Sequence, residues 1–169
     1  MSTKRNTMSK IPVFVSCPTT LSKEQEKYNA RINKLLAQNG LERRALGRSD
    51  YPLENPLKEV YALARHCAGG LILGFEQIYL EQGVKKRGSA SEAPIESLSL
   101  PTPWNNLEAG ILYSLDLPLM IIKEKNIGGG IFDVGTSTYF VHSFESDVNL
   151  QQIFSKWVSK VYETYYGGK

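Results

Sequence analysis

Apolar and polar positions along this chain fall into blocks that switch between two periods. Residues 11–16, IPVFVS, form a short apolar run ending in small and polar residues. That pattern suits a strand buried on both faces, as in a parallel sheet. A loop, Cys17-Pro18-Thr19-Thr20, follows. Ser22 and Gln25 then have the spacing of a capping box. Tyr28, Ile32, Leu35 and Leu36 recur at helical spacing, and Asn39-Gly40 ends that helix. Leu41–Leu46 is a more polar run, expected as a strand near the sheet edge. Asn55-Pro56 opens a second helix, with Asn as N-cap and Pro in the first turn. Leu57, Val60, Tyr61 and Ala64 mark its expected buried face, and Gly69-Gly70 ends it. Leu71–Leu73 is a third buried strand that closes at Gly74-Phe75.

From about Gln77 to Thr102 the pattern fades, and a long loop is expected there, of the kind that is often functional or disordered. Thr102-Pro103 opens a helix by the same logic as Asn55-Pro56, with Leu107, Ile111, Leu112 and Leu115 as its apolar stripe. Leu119–Ile122 is a fourth strand. Gly128-Gly129-Gly130 breaks the chain, and Thr138–Val141 is a fifth. The last helix has the widest stripe: Leu150, Ile153, Phe154, Trp157, Val158, Val161, Tyr162 and Tyr165, with Asp147 as expected N-cap. Strand and helix alternate about five times. The predicted fold is therefore α/β, a flavodoxin-like three-layer sandwich around a central, mainly parallel five-stranded sheet. Ligands in such sheets bind beyond the carboxyl ends of the strands. Four segments fall there: 16–20, 48–52, Phe75 with the long loop, and 124–130. The start of the helix carrying Trp104 lies on the same rim.

Composition narrows the class. The chain has 169 residues, 41% hydrophobic and 22% charged, enough for one domain with a full core. Residues 1–10 carry Lys4, Arg5 and Lys10 without an acid and read as a disordered basic tail, leaving 11–166 as a single domain. A net charge of +3 is too small to argue for nucleic acid. No run resembles a signal peptide or a membrane span. Cys17 and Cys67 stand far apart without partners at metal spacing, so no metal and reduced, cytoplasmic thiols are expected.

The candidate chemistry sits at residues 101–124, PTPWNNLEAGILYSLDLPLMIIKE. Trp104 and Glu108 lie one helical turn apart on one face. An aromatic plane beside a carboxylate suits a nucleoside, the ring packing on its apolar parts and the carboxylate holding ribose hydroxyls. A plain structural reading exists for each: the helix dipole favours a carboxylate near the N-terminus, and a Trp can cover a sheet end. Neither GxGxxG nor a Walker phosphate loop occurs, and the triple glycine reads as a flexible turn. Ser16 or Cys17 with His66 or His142 would make a hydrolase pair, but no G-x-S-x-G elbow is present. Arg48 and Tyr51 sit in a rim loop where Arg48 would meet phosphate or simply face solvent. Lys85-Lys86-Arg87 reads as a solvated run.

With these elements in order, the sequence resembles a TIR (Toll/interleukin-1 receptor) domain over residues 11–165. VFVS at 13–16 resembles that family's first strand, 48–52 its loop after the second strand, PWNNLEAG its Trp-x-x-x-Glu motif, and LPLMIIKE its fourth strand. The resemblance implies an enzyme that breaks the nicotinamide–ribose bond of NAD, with NAD as substrate and no cofactor. Glu108 would be catalytic, and Ser16, Cys17, Arg48, Tyr51, Phe75 and Trp104 would bind the substrate. It also implies a homo-oligomer or filament built by TIR–TIR contacts, and by analogy a role in bacterial antiviral defence. LEAGILYSLDLPLMII is similar as well to nucleoside 2-deoxyribosyltransferases, in which a glutamate on the equivalent helix attacks deoxyribose. A module that only binds nucleotide or assembles is the non-enzymatic alternative.

Overall fold

The computed structural model describes residues 9–46, 55–133, 135, 140–144 and 150–168. Its five-stranded sheet is built from β1 (Ile11–Ser16), β2 (Leu41–Arg44), β3 (Gly70–Gly74), β8 (Leu119–Lys123) and β9 (Phe140–Ser143). All four pairings are parallel, in the order β2-β1-β3-β8-β9. This is the flavodoxin-like order, with the chain switching direction across the sheet between β1 and β3. The more polar second strand is indeed an edge. The fifth strand lies two residues later than the expected Thr138–Val141, and residues 136–139 are outside the described residues, as is the expected N-cap Asp147.

Alternation along the strands separates two cores. Val13, Val15, Leu71, Leu73, Met120 and Ile122 face helices α1 (Lys23–Gln38) and α4 (Leu150–Tyr166), where Ile32, Leu36, Phe154, Trp157 and Val161 complete the layer. Phe14, Ile72, Leu119 and Ile121 face α2 (Pro56–Ala64) and α3 (Pro103–Ser114), against Val60, Ala64, Ala109 and Leu112. Truncating any one of these fully buried leucines to alanine would cost about 2–5 kcal/mol. The buried Trp157 ring also donates its indole N–H to Pro118 O at 2.9 Å.

The helix starts follow the sequence. Ser22 and Gln25 form both bonds of the capping box, at 3.2 and 3.0 Å. Asn55 caps α2 by accepting from Lys58 N, and Thr102 caps α3 by accepting from Trp104 N, both at 3.3 Å. The helix faces are less faithful. On α2, Leu57 and Tyr61 are exposed, and only Val60 and Ala64 of the expected face are buried. Those two meet α3 and the sheet, while the Leu57–Tyr61 pair, offset around the helix, is left outside that contact. On α3, Leu107 is exposed, and the buried face is Asn105, Glu108, Ala109 and Leu112. Gly70 permits the close seat of this helix. A Cβ there would stand 2.6 Å from Leu119 Cδ2 and 2.8 Å from Leu112 Cδ1.

Residues 77–102 are not a structureless loop. They form an antiparallel ribbon, β4 (Ile78–Leu80) against β7 (Leu98–Leu100) and β5 (Gly83–Lys85) against β6 (Ala93–Ile95). Leu80 opposes Leu98 and Gly83 opposes Ile95, so one register runs through both tiers. The sequence hides it because each strand is three residues long and contributes no apolar side chain to either core, which leaves no alternation to read. Ile78, Tyr79 and Val84 are exposed on it. Lys86 has φ 54°, and the turn is held by Ser89 N and Oγ donating to Lys86 O. Among the described residues, no helix is long and apolar enough to cross a membrane.

Candidate active site

A cavity of about 360 Å³ opens at the carboxyl end of β1, beside the switch between β1 and β3. This is where an open α/β sheet leaves a crevice, and the size is that of a small-molecule site. Its wall comes from Ser16 and the loop 17–20, Leu46 after β2, Pro56 at the start of α2, Gln77 and Thr102 at the two feet of the ribbon, and Trp104 and Glu108 of α3. Four of the residues singled out from sequence therefore meet in one cavity: Ser16, Cys17, Trp104 and Glu108. Arg48 and Tyr51 lie outside the described residues, although Leu46 and Pro56, which flank their segment, line the wall.

Phe75 does not belong to the cavity. It is 0% exposed and stacks on Phe144 in the α1/α4 core, with centroids 4.9 Å apart and planes 5° apart. The reason is strand parity. Leu71, Leu73 and Phe75 point to one side of the sheet, and the cavity opens on the side of α3. The residue that reaches the cavity from the end of β3 is Gln77.

Glu108 is 8% exposed. Burial pushes its carboxyl up from 4.5 to about 7, against a smaller downward pull from a hydrogen bond with Ser16. Desolvation of the charged form therefore dominates. At neutral pH the group is divided between acid and carboxylate, the range in which a catalytic carboxyl is most adaptable. Trp104, one turn earlier, is 40% exposed, so its ring is available at the mouth of the cavity. Cys17 is in no disulfide, and its Sγ reaches Asn29 Oδ1 at 3.9 Å.

Sequence reasoning missed one member of this cluster. Asn105 is 0% exposed, and its Nδ2 donates to Ser16 Oγ at 2.7 Å. Ser16 and Glu108 line the same cavity, so Asn105 places a third buried polar side chain beside them in an otherwise apolar layer. The available signal was spacing: Asn105 stands three residues before Glu108, on the same helical face.

A second, polar cleft of about 620 Å³ adjoins the first and shares Thr20 and Gln77 with it. Its wall includes Gln25, Glu76, Ser99 and Glu124. Glu124 accepts from Glu76 N at 2.5 Å and from Gln25 Nε2 at 3.2 Å to both oxygens. The triple glycine leads into a short turn, Gly130–Phe132, and Asp133 Oδ1 occupies Gly129 N–H at 2.8 Å. A carboxylate already holds the amide that a phosphate would need.

No protein-family model matches this sequence, and no curated protein matches it. Among solved structures the chain is similar to the CMP N-glycosidase BcmB of Clostridium botulinum. The identity is 12% and the TM-score 0.47, over 78% of this chain and 85% of that one. A likeness of that size says nothing about the chemistry of the cavity.

Proposed function

We propose that this protein cleaves the N-glycosidic bond of NAD or a related nucleotide, with Glu108 as the catalytic residue. The observation that carries the reading is a buried carboxyl poised near neutrality in a rim cavity, with an exposed Trp one turn away. Breaking the bond sends its electron pair to the departing base and builds positive charge on C1′ and the ring oxygen, as in glycoside hydrolysis. An ionised Glu108 stabilises that charge in a cavity that partly excludes water, or holds the ribose hydroxyls and fixes the geometry. Nicotinamide leaves as a neutral base, so no general acid is required. Water then adds to C1′ and loses a proton to give ADP-ribose; an internal nucleophile gives a cyclic product, and an added base gives exchange. Trp104 packs on the ribose or base, and the backbone of 17–20 holds phosphate. Self-association and a part in antiviral defence signalling are proposed with the NAD reading and rest on the TIR-like motifs alone.

A second reading has its own support. Among the described residues, no Lys or Arg lines the cavity, and an uncharged nucleoside needs none. That favours transfer of 2-deoxyribose between bases, with Glu108 as nucleophile. Concentrated protein incubated with NAD, and separately with a deoxynucleoside plus a free base, separates the two by chromatography. Nicotinamide release that vanishes in Glu108→Gln supports the first reading. Base exchange on the deoxynucleoside alone supports the second. Equal release from NAD in both proteins removes Glu108 from the mechanism.

A further inference from the structure

We propose that the outer face of the ribbon at 77–102 binds the same face of a second copy of this chain, the two ribbons lying antiparallel about a two-fold axis. The proposal does not depend on the reading of Glu108. The contact is also separate from the TIR–TIR assembly that goes with the NAD reading.

The ribbon has one apolar face. No three-residue strand shows an alternation on its own, but their pairing assembles one. Ile78 opposes Leu100 and Leu80 opposes Leu98, so these four side chains share one side of the pleat. Val84 lies four residues beyond Leu80 and opposes Pro94, an even step that continues the same side. Ile78, Leu80, Val84 and Pro94 are exposed, and none of the six belongs to either core or packs on one. The opposite side carries Ser99, which is buried and bridges to Ile127. The apolar side is therefore the one turned away from the domain. A two-stranded ribbon is marginal by itself in water and gains from a further layer.

Charge along the ribbon says what that layer is. Lys85, Lys86 and Arg87 are exposed at the tip and take part in no ion pair among the described residues. Glu76, Glu81 and Glu96 stand nearer the base. An arm basic at one end and acidic at the other complements a second such arm laid in reverse, which is the order a two-fold axis imposes. The continued register sets Gln82 opposite Glu96 on the apolar side. With the axis at Gln82, Leu80 and Leu98 of one copy meet Val84 and Pro94 of the other, the Gln82 amide donates to the second Glu96, and each basic tip reaches the other base near Glu76. An anionic lipid surface would attract the tip but repel Glu96 in the middle of the same face. The face measures about 30 Å by 10 Å. That is smaller than the about 800 Å² a side of a standard interface, so a weak, reversible dimer is expected.

Sedimentation equilibrium of the full chain at low salt tests this. The wild type is expected to dimerise with a Kd of about 1–100 μM. Leu80→Asp and Val84→Asp are each expected to weaken the dimer by about 100-fold or more, because the charge enters the contact twice, while the melting temperature of the monomer stays put. Lys85→Glu/Lys86→Glu/Arg87→Glu is expected to be monomeric, as is Glu76→Lys/Glu81→Lys/Glu96→Lys, and a mixture of these two variants is expected to form a heterodimer. On mild oxidation Gln82→Cys should crosslink to itself, and Leu80→Cys to Val84→Cys, above the wild-type background from Cys17 and Cys67. A wild type that stays monomeric up to millimolar concentration overturns the proposal. So does a dimer indifferent to these substitutions, which places the contact elsewhere. A monomer that binds phosphatidylglycerol vesicles through Lys85, Lys86 and Arg87 would make the partner a lipid surface and overturn it as well. None of these readouts requires NAD to be cleaved, so the glycosidase reading stands or falls separately.

Discussion

Glu108 and Glu124 stand on the same rim of the sheet, in adjoining cavities, and they are held in opposite ways. Glu124, half-buried at the end of β8, is saturated with donors: the backbone of Glu76 and the amide of Gln25 both point at it. It ties the ends of β3 and β8 to the start of α1 and has little bonding capacity left. Glu108 is more deeply buried, and its burial outweighs the smaller pull of the Ser16 hydroxyl towards the charged form. The difference teaches what to look for in a rim carboxylate. Desolvation without saturation leaves a group whose charge is costly and therefore responsive to a cation forming beside it. Saturation makes the same side chain a clamp.

The sharpest way to break the comparison is to neutralise each glutamate in turn. Glu108→Gln is expected to lower nicotinamide release by about 10²–10⁴-fold, measured as turnover at saturating NAD. Glu124→Gln is expected to stay within a few-fold of wild type once the folded fraction is matched. If the two variants lose activity equally, the distinction drawn from their hydrogen bonds is wrong.

Next in size is a pH effect on stability from Glu108. Its carboxyl titrates near 7 in the folded protein, against 4.5 as the ordinary value. The folded state thus binds the proton more tightly than the unfolded chain. That contribution is complete below about pH 4.5 and is lost as pH rises through 7, amounting to about 3 kcal/mol. Urea unfolding between pH 5 and 8 would read it. Glu108→Gln, which mimics the neutral acid, should flatten this slope and be the more stable protein at pH 8.

The clamp gives a smaller effect of the opposite kind. Glu124→Ala leaves the Glu76 N–H and the Gln25 amide without their acceptor, at a cost of about 1–3 kcal/mol. A fall of about 5 °C in melting temperature would match that range, with the activity of the folded protein kept. The smallest effect is expected at Trp104, which sits at the mouth of the cavity and not in the core. Trp104→Ala should raise KM for NAD by about three- to tenfold while the melting temperature barely moves. A stability loss as large as that of Glu124→Ala would make Trp104 a packing residue and weaken the ligand reading.

How much of this was legible in the sequence differs by element. The strands were, because a parallel sheet covered on both faces needs unbroken apolar runs, and 11–16, 71–73 and 119–122 have them. The helix starts were as well, because Ser22, Asn55 and Thr102 act within their own first turns. Glu108 and Trp104 were legible as a pair, since four residues on one helix fix their relation. Phe75 was misplaced because a one-residue parity decides which side of a sheet a strand end faces. The ribbon was missed because its strands are three residues long and contribute no apolar side chain to either core. Asn105 went unread for a different reason. Counting apolar residues on α3 selects Leu107, Ile111, Leu112 and Leu115, whereas the helix is turned so that Asn105 and Glu108 face the sheet.

Local chemistry in the sequence by itself determined the α/β alternation, the helix caps and the rim on which a ligand would sit, since each depends on neighbours a few residues apart. The rotation of α3, the depth of Glu108 and the meeting of Ser16 with Asn105 across 89 positions of chain were decided only by tertiary structure. Burial is a property of what packs on top, and it is burial that moved the Glu108 carboxyl to neutrality.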